Sequence, residues 1–288
     1  MRVSSLISLG RYWIYGGRWS TTDVSRNPAS RFSVPESSSA GGLDSGQPLH
    51  CRTASCQSDF QASFELLYES YHLSGLCPFN RTGLRVLPIH LRPETQVFVG
   101  EHQGTVRGTI SLVLDEGDGL PLETVFRDHV QLIRDAGRRV AEFTSLAIAP
   151  AQSQNSTRSF SQLTAVAVAF ARRHGIDEVL AAVHPRHARF YSRAMGFRCL
   201  SDAVPYAGVL NHPAVLIAVS IDAVDRVKKR WRNFYGHSTC FTDQSLLRRP
   251  MSNTTASHFS RYLTQINGGQ AAQPLNVAQP ATRIQLET

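Results

Sequence analysis

The sequence predicts a domain of mixed α and β structure in which helices pack on a sheet that includes an antiparallel hairpin. Two observations carry this prediction. Residues 95–115, TQVFVGEHQGTVRGTISLVLD, have the residue types and the Gly104 turn of a β-hairpin. Between residues 139 and 221, strand-type segments alternate with helix-type segments. This order of elements typically gives a three-layer sandwich.

The elements follow from hydrophobic period in chain order. Aromatic residues and leucines at helical spacing within residues 60–71 predict a first amphipathic helix, which precedes the hairpin. A second helix is predicted at residues 122–136, followed by the strand RRVAEFTSLAIAP. A third helix begins near Phe160 and ends near Gly175. The strand IDEVLAAVHP, the short helix HARFYSRAMGF and the strand HPAVLIAVSI complete the series.

The short helix HARFYSRAMGF is predicted by residues that all lie within it. His187, Phe190, Tyr191 and Ala194 fall on one helical face, and Gly196 stands where a helix would end. We therefore expect an amphipathic helix that stops at Gly196 and presents its aromatic face to the domain.

The two ends of the chain differ from the middle. Residues 1–58 are rich in Ser, Arg and Gly without a hydrophobic period, which predicts a flexible N-terminal arm. The folded unit is predicted at residues 59–222, and residues 223–288 are predicted to form a basic and then polar tail. The first twenty residues lack acids, but Arg11 and Arg18 interrupt any signal-type apolar core, so no cleaved signal is expected.

Composition limits the setting and the partners. The net charge of +8 indicates an acidic partner, which could be a nucleic acid, an anionic membrane or an acidic protein. Five cysteines without CxxC spacing indicate neither a disulfide framework nor a zinc site, so a reduced cytoplasmic setting is expected. No apolar run is long enough to span a membrane. His184 and His187 lack a third ligand at suitable spacing, so both are interpreted as structural and no metal is expected.

The segment AEFTSLAIAP, a loop and helix, and then VLAAVHPRHARFYSRAMGF together resemble the GNAT acyltransferase superfamily. The hairpin followed by DGLPLETVFRDHVQLIRDAGRRVAEFTSLAI more specifically resembles FeeM-type long-chain N-acyl amino acid synthases, which are related to acyl-homoserine lactone synthases. The resemblance covers most of residues 59–222. It implies a GNAT-like acyltransferase fold of the α+β class, in which a central mixed, mostly antiparallel sheet is flanked by helices. It also implies an enzyme that moves a long-chain acyl group from acyl carrier protein to the amine of an amino acid.

Glu142 is the candidate general base. In a regular strand, one face would carry Glu142, Thr144, Leu146 and Ile148, with the carboxylate leading the row. The resemblance implies the same role, because homoserine lactone synthases carry a pattern like E-x-S-R-F here. This chain has Thr144 and Ser145 in place of the serine and arginine, which argues against a homoserine lactone product. The alternative is a structural ion pair between Glu142 and Arg138 or Arg139.

Tyr191 is the candidate acid, because the resemblance implies that the tyrosine of this helix points toward the thioester sulfur and protonates the leaving thiolate. The alternative is an ordinary core tyrosine. The resemblance also implies that backbone N–H groups from Leu146 to Ile148 bind pantetheine or the oxyanion, provided that the strand bulges or splays there.

The donor-binding loop departs from the acetyl-CoA pattern. GNAT enzymes that use acetyl-CoA usually carry R/Q-x-x-G-x-G/A, whereas AQSQNSTRSFSQL has no glycine. The hydroxyls of Ser156, Thr157 and Ser159 and the cation of Arg158 could instead hold one phosphodiester, which suits a phosphopantetheine arm. The alternative is that they cap the following helix. No tightly bound cofactor is expected, and the donor is acyl carrier protein or acyl-CoA.

Two other functions remain open from the residues. One is acetyl-CoA-dependent N-acetylation, against which the glycine-free loop argues. The other is a non-catalytic protein that binds acyl chains or nucleic acid through the basic KKRWRNF segment. The leading interpretation expects no nucleic acid and assigns Arg226, Lys228, Lys229, Arg230 and Arg232 to docking of the acidic carrier protein beside the domain.

Overall fold

The computed structural model describes residues 48–149, 156–223, 227–235 and 241–263. These residues form eight strands: β1 (His50–Thr53), β2 (Thr95–His102), β3 (Thr105–Leu114), β4 (Val140–Ile148), β5 (Glu178–Val183), β6 (Arg198–Cys199), β7 (Val204–Tyr206) and β8 (His212–Ser220). The same ranges contain five α-helices: α1 (Gln57–Leu73), α2 (Glu123–Asp135), α3 (Ser156–Arg173), α4 (Pro185–Met195) and α5 (Asn253–Ser260).

The strands form one sheet in the order β1-β2-β3-β4-β5-β8-β6, with β7 paired to β8. Strands β4 and β5 pair in parallel, and the other described pairs are antiparallel. The predicted α+β class and the mixed, mostly antiparallel sheet are therefore confirmed.

Helices cover both faces of this sheet. Phe98 of β2 points into the cluster of buried residues that includes α3 and α4, whereas its neighbours Val97 and Val99 point into the cluster that includes α1. Val113 of β3 lies on the same side as Val97 and packs with α2. Because alternate residues of a strand face opposite sides, α1 and α2 cover one face and α3 and α4 the other. We call these the α1 face and the α3 face.

Local sequence signals were sufficient to predict most of the helices and strands. The hairpin turns on Gln103 and Gly104, both with positive φ (48° and 75°), as a two-residue loop between twisted strands requires. Helix α4 ends at Gly196, which has φ 74° and donates its N–H to the carbonyl of Tyr191. Helix α3 begins at Ser156, four residues before the predicted start at Phe160.

The folded part of the chain extends beyond the predicted boundaries of residues 59 and 222. His50–Thr53 pairs with β2, and Leu49 and Ala54 are buried. After the last strand, Phe234, Tyr235 and Phe259 are buried against the domain. These segments were missed because single apolar residues separated by polar ones produce no period. Residues 1–47 and 264–288 lie outside the described residues.

None of the helices in the described ranges is both long enough and apolar enough to cross a membrane.

Candidate active site

Strand β4 contains a bulge at its centre. Its register with β3 passes from Thr109 opposite Ala147 to Ser111 opposite Thr144, so β4 carries one additional residue. Ser145 lies in this bulge and has φ 52°, in the left-handed region.

The bulge reverses the faces of the residues that follow it. Glu142 lies opposite Val113 on the α1 face, whereas Leu146 and Ile148 pack into the buried cluster of the α3 face. The prediction that Glu142, Thr144, Leu146 and Ile148 share one face is therefore wrong, because it assumed strict alternation along the strand.

The parallel strands β4 and β5 separate beside the bulge. Their pairing stops at Glu142 and Leu180, although β4 continues to Ile148 and β5 to Val183. A cavity of about 820 Å³ opens there, and residues 143–146 of β4 and 181–183 of β5 form its edges. The sheet is thus open at this point, and a ligand can contact side chains from both faces.

The two walls of the cavity differ in chemistry. The wall on the α3 face is mainly apolar and includes Phe160, Val168, Tyr191, Met195, Phe197 and Phe234, although His184, Arg186 and His187 at the start of α4 also line it. The wall on the α1 face is more polar, and its polar groups include Ser70, Tyr71, Arg85, Thr144, Ser145 and Tyr206. The apolar wall suits a hydrocarbon chain, and the polar wall suits a small hydrophilic molecule.

Glu142 is buried beside the cavity but does not line it. Glu142 is 1% exposed, and its Oε2 accepts a hydrogen bond from the backbone N–H of Leu122 at 2.9 Å. Burial raises the pKa of Glu142 to about 8. The Nε of Arg138 lies 3.9 Å from Oε2 of Glu178. Arg138 therefore does not form the alternative ion pair with Glu142. A carboxyl group that titrates near neutral pH has the protonation behaviour that a general base needs.

Tyr191 lines the cavity from α4. Its ring packs edge-on against Phe160 and Phe197, with centroids 6.3 and 5.2 Å away. Burial raises the pKa of Tyr191, and the nearby Tyr71 adds to this effect. The phenol therefore carries its proton at neutral pH, which is the form that an acid for a leaving thiolate requires. The aromatic packing shows that Tyr191 is also part of the core.

His90 and Ser145 form a buried hydrogen bond that sequence reasoning missed. The Nδ1 of His90 accepts the backbone N–H of Leu87 at 3.1 Å, so the ring proton lies on Nε2. This Nε2–H donates to Ser145 Oγ at 2.8 Å. Burial, reinforced by the charge of Arg85, lowers the pKa of His90 to about 3, so the ring is neutral.

This tautomer decides what the pair can do. Because Nε2 already holds a proton, His90 cannot remove the proton of Ser145, so the pair is not set up as a nucleophile and base. Ser145 instead accepts from His90 and keeps its own hydroxyl proton for donation. Since Ser145 lines the cavity, this proton can be donated to a carbonyl or oxyanion there.

The predicted donor-binding residues lie at the start of α3. Thr157 and Arg158 are exposed, and Ser159 is buried. None of the three lines the cavity, whereas Phe160, the next residue, does. Ser156 begins the helix, and the preceding residues 150–155 lie outside the described part of the chain.

His184 caps α4, and its Nδ1 accepts the backbone N–H of Arg186 at 3.2 Å. His187 follows in the first turn, and burial lowers its pKa to about 4. Both line the cavity, but no group of three or more potential metal ligands occurs among the described residues.

The sheet order, the separation of β4 from β5 and the bulge beside it define the fold and site of a GNAT-like acyltransferase. A family model described as N-acyl amino acid synthase FeeM matches residues 62–220. This match spans more than half of the chain, which therefore belongs to the FeeM family of N-acyltransferases.

The chain is also similar to solved structures. FeeM, an N-acyl amino acid synthase from uncultured soil microbes, is 21% identical with a TM-score of 0.55, covering 62% of this chain and 94% of that one. BjaI, a CoA-dependent acyl-homoserine lactone synthase, is 13% identical with a TM-score of 0.46, covering 75% and 100%. An acyl-CoA N-acyltransferase from Pseudomonas aeruginosa is 15% identical with a TM-score of 0.42, covering 59% and 98%. The comparison with curated proteins gives no match.

Proposed function

We propose that this acyltransferase moves a long-chain fatty acyl group from acyl carrier protein to the amine of an amino acid, giving an N-acyl amino acid. The observation that carries the proposal is the cavity of about 820 Å³ that joins an apolar wall on the α3 face to a polar wall on the α1 face. Its size falls in the range that holds drug-sized ligands, which is more than an acetyl group needs.

The two walls suggest where each substrate lies. The acyl chain lies along the apolar wall, the thioester at the opening between β4 and β5, and the amino acid against the polar wall. The amine nitrogen attacks the thioester carbon, and the tetrahedral species collapses with loss of the thiolate. One proton leaves the amine and one is gained by the thiolate, so the step needs a base and an acid.

The predicted catalytic residues can take these roles. Glu142 lies on the α1 face beside the cavity and receives the proton of the amine through an intervening hydroxyl or water, whereas Tyr191 lines the cavity on the α3 face and protonates the thiolate. Thr144 and Ser145 lie between them at the opening, where a hydroxyl can donate to the oxyanion. Backbone N–H groups around Leu146 and Ile148 are proposed to bind the pantetheine arm, because β4 does not pair with β5 beyond Glu142.

A basic surface beside the cavity supports a carrier protein as the donor. Its exposed members on α4 and the segment after β8 are Arg186, Arg189, Arg193, Lys228, Lys229 and Arg232. Residues 184–201 and 227–235 contain no acidic residue. Phe234 and Tyr235 are buried and line the cavity, so this segment is anchored at the site, and Tyr235 donates its hydroxyl to the carbonyl of Met195. Arg226 lies outside the described residues.

An acidic carrier protein would be attracted to this surface, with its phosphate near Thr157, Arg158 and Ser159 at the start of α3. This arrangement needs no tightly bound cofactor and no nucleic acid. A cytoplasmic location, where acyl carrier protein is made, completes the proposal.

The test is a reconstitution with purified protein. Long-chain acyl carrier protein, long-chain acyl-CoA and acetyl-CoA are offered with a mixture of amino acids, and free thiol and product masses are measured. We expect thiol release from the long-chain carrier that depends on an amino acid and yields N-acyl amino acids. Turnover with acetyl-CoA alone, or thiol release that yields only free fatty acid, would overturn the proposal.

A further inference from the structure

A buried arginine lies in the polar wall of the cavity. Arg85 is 4% exposed and follows α1 in an extended segment, where its backbone N–H donates to the carbonyl of Phe64 at 3.0 Å. Its guanidinium carbon lies 4.6 Å from the ring centroid of Tyr71. One terminal nitrogen donates to the carbonyl of Gly208 at 2.7 Å.

The charge of Arg85 has no acidic partner within the described part of the chain. Two partly shielded arginines, Arg52 and Arg134, by contrast form ion pairs with carboxylates. No carboxylate of a described residue lies within 4 Å of Arg85, and its neighbours Tyr71, Gly208 and Cys77 offer a ring, a carbonyl and a thiol, which are neutral. Burying a cation without a counter-charge is costly unless a ligand supplies one.

The cation–π contact with Tyr71 and the bond to Gly208 hold the guanidinium in place. A guanidinium fixed against an aromatic ring keeps its remaining N–H donors in a rigid plane, which is the geometry that accepts a carboxylate through two parallel hydrogen bonds. Arg85, Tyr71 and Tyr206 line the same cavity, so an anion bound there lies inside the site and not on the surface.

Arg85 also lies close to the reaction centre. Its charge contributes to the low pKa of His90, the residue that donates to Ser145 Oγ at 2.8 Å. In an α-amino acid, the carboxylate carbon is separated from the amine nitrogen by a single carbon atom. A carboxylate held by Arg85 therefore places the amine within the same part of the cavity as Ser145 and Thr144.

We propose that Arg85 binds the α-carboxylate of the acceptor and makes the enzyme selective for amino acids over other primary amines. The inference rests on the proposed function and assigns its acceptor subsite. Arg85 orients the acceptor and takes no part in proton transfer, so it is a specificity-determining residue.

The experiment compares acceptors that differ only at the carboxylate. An amino acid that the wild-type enzyme acylates is paired with its carboxamide, and kcat/KM is measured for both with saturating acyl donor. The variants are Arg85→Gln, which removes the charge, and Arg85→Lys, which keeps the charge but loses the paired donors. Arg248→Gln serves as the control, because this arginine pairs with Glu116 and does not line the cavity.

We expect Arg85→Gln to lower kcat/KM for the amino acid about ten- to a hundredfold, the usual scale of charged hydrogen bonds, with little change for the carboxamide. Arg85→Lys should restore part of the preference, and Arg248→Gln should leave it unchanged. Because the preference is a ratio within one variant, a partly unfolded sample does not alter it.

The outcomes separate this inference from the proposed function. If the wild-type enzyme acylates no amino acid, the proposed function fails. If it does, but Arg85→Gln keeps the wild-type preference, the assignment of Arg85 is wrong. A rise in the KM of the acyl donor with an unchanged acceptor preference would also overturn it, because Arg85 would then bind a donor phosphate.

Discussion

The carboxyl group of Glu142 accepts the backbone N–H of Leu122 at 2.9 Å, which joins β4 to the segment that leads into α2. The bond fixes one carboxyl oxygen, Oε2, in a buried layer on the α1 face. Burial nevertheless raises the pKa of Glu142 to about 8, because a single N–H does not replace the water that the charged form loses. The group is thus poised to gain or lose a proton near neutral pH.

Replacement of Glu142 by Gln should lower kcat about a hundredfold or more near neutral pH, by the scale of general-base catalysis. In the wild-type enzyme, kcat/KM should rise with pH up to about 8 as the carboxyl group ionises, and this limb should be absent in the variant. Glu101→Gln, a change to a carboxyl group paired with Arg52 away from the cavity, is the control. Full activity of Glu142→Gln with an unchanged pH profile would make Glu142 structural.

The same pKa predicts how stability depends on pH. The folded state holds a proton on Glu142 up to about pH 8, whereas the unfolded state releases it in the ordinary range of a glutamate. The folded state therefore binds more protons between these values, and the free energy of unfolding contributed by this group falls as pH rises through that window. Urea unfolding of wild type and Glu142→Gln at several pH values should show that the variant loses this part of the slope. Parallel curves for the two proteins would contradict the raised pKa.

Replacement of Tyr191 by Phe should give a folded but slow enzyme. The ring keeps its edge-on contacts with Phe160 and Phe197, so the thermal midpoint should change little. Loss of a general acid should lower kcat about a hundredfold with alkyl thioesters. A thioester whose leaving thiol is much more acidic needs no such proton, and its turnover should be nearly equal in the two proteins. If the mutation slows both thioesters equally, the hydroxyl of Tyr191 is not the general acid and the residue has only a structural role.

Ser145 contributes both an unusual backbone conformation and a hydroxyl group to the site, and two variants separate these contributions. Ser145→Ala leaves the buried Nε2–H of His90 without its acceptor, which should cost about 1–3 kcal/mol of unfolding free energy. Ser145→Gly loses the same bond, but glycine tolerates φ 52° without steric cost, so it should be the more stable of the two. Both should be slow if the hydroxyl stabilises the oxyanion. Full activity of a stable Ser145→Gly enzyme would exclude that role.

Much of the fold could be predicted from the sequence because its signals are local. The apolar face of α4 and its end at Gly196 are encoded by residues close together in the sequence. The turn at Gln103 and Gly104 is encoded by two adjacent residues. Strand β1 was missed because its four residues, HCRT, have no alternation, and only pairing with β2 makes it a strand.

The site was less predictable because it depends on pairing at a distance. AEFTSLAI looks like a regular strand, and its bulge is visible only in its register with β3. Ser145 and His90 are separated by 55 positions, so no local pattern connects them. Arg85 stands in a segment without period, and its importance follows from burial beside Tyr71 and not from its neighbours in sequence.

The basic surface around α4 and the segment after β8 should bind the acyl carrier protein. Changing Lys228 and Lys229 to Glu reverses two exposed charges beside Phe234 and Tyr235, which line the cavity. Because long-range attraction between opposite charges increases the association rate, the apparent KM for acyl carrier protein should rise in this variant. The wild-type KM should also climb with salt, as ions screen the attraction over about 10 Å at 0.1 M.

Short acyl-pantetheine substrates lack the acidic partner, so their turnover should be nearly indifferent to the same change. The matched control is Arg81→Glu with Arg127→Glu, which alters the net charge equally at two exposed positions outside this surface. It should leave the KM for acyl carrier protein near the wild-type value, because local attraction at the cavity mouth is preserved. If both double variants raise that KM equally, the effect comes from net charge and not from docking. If neither raises it, the carrier protein does not use this surface.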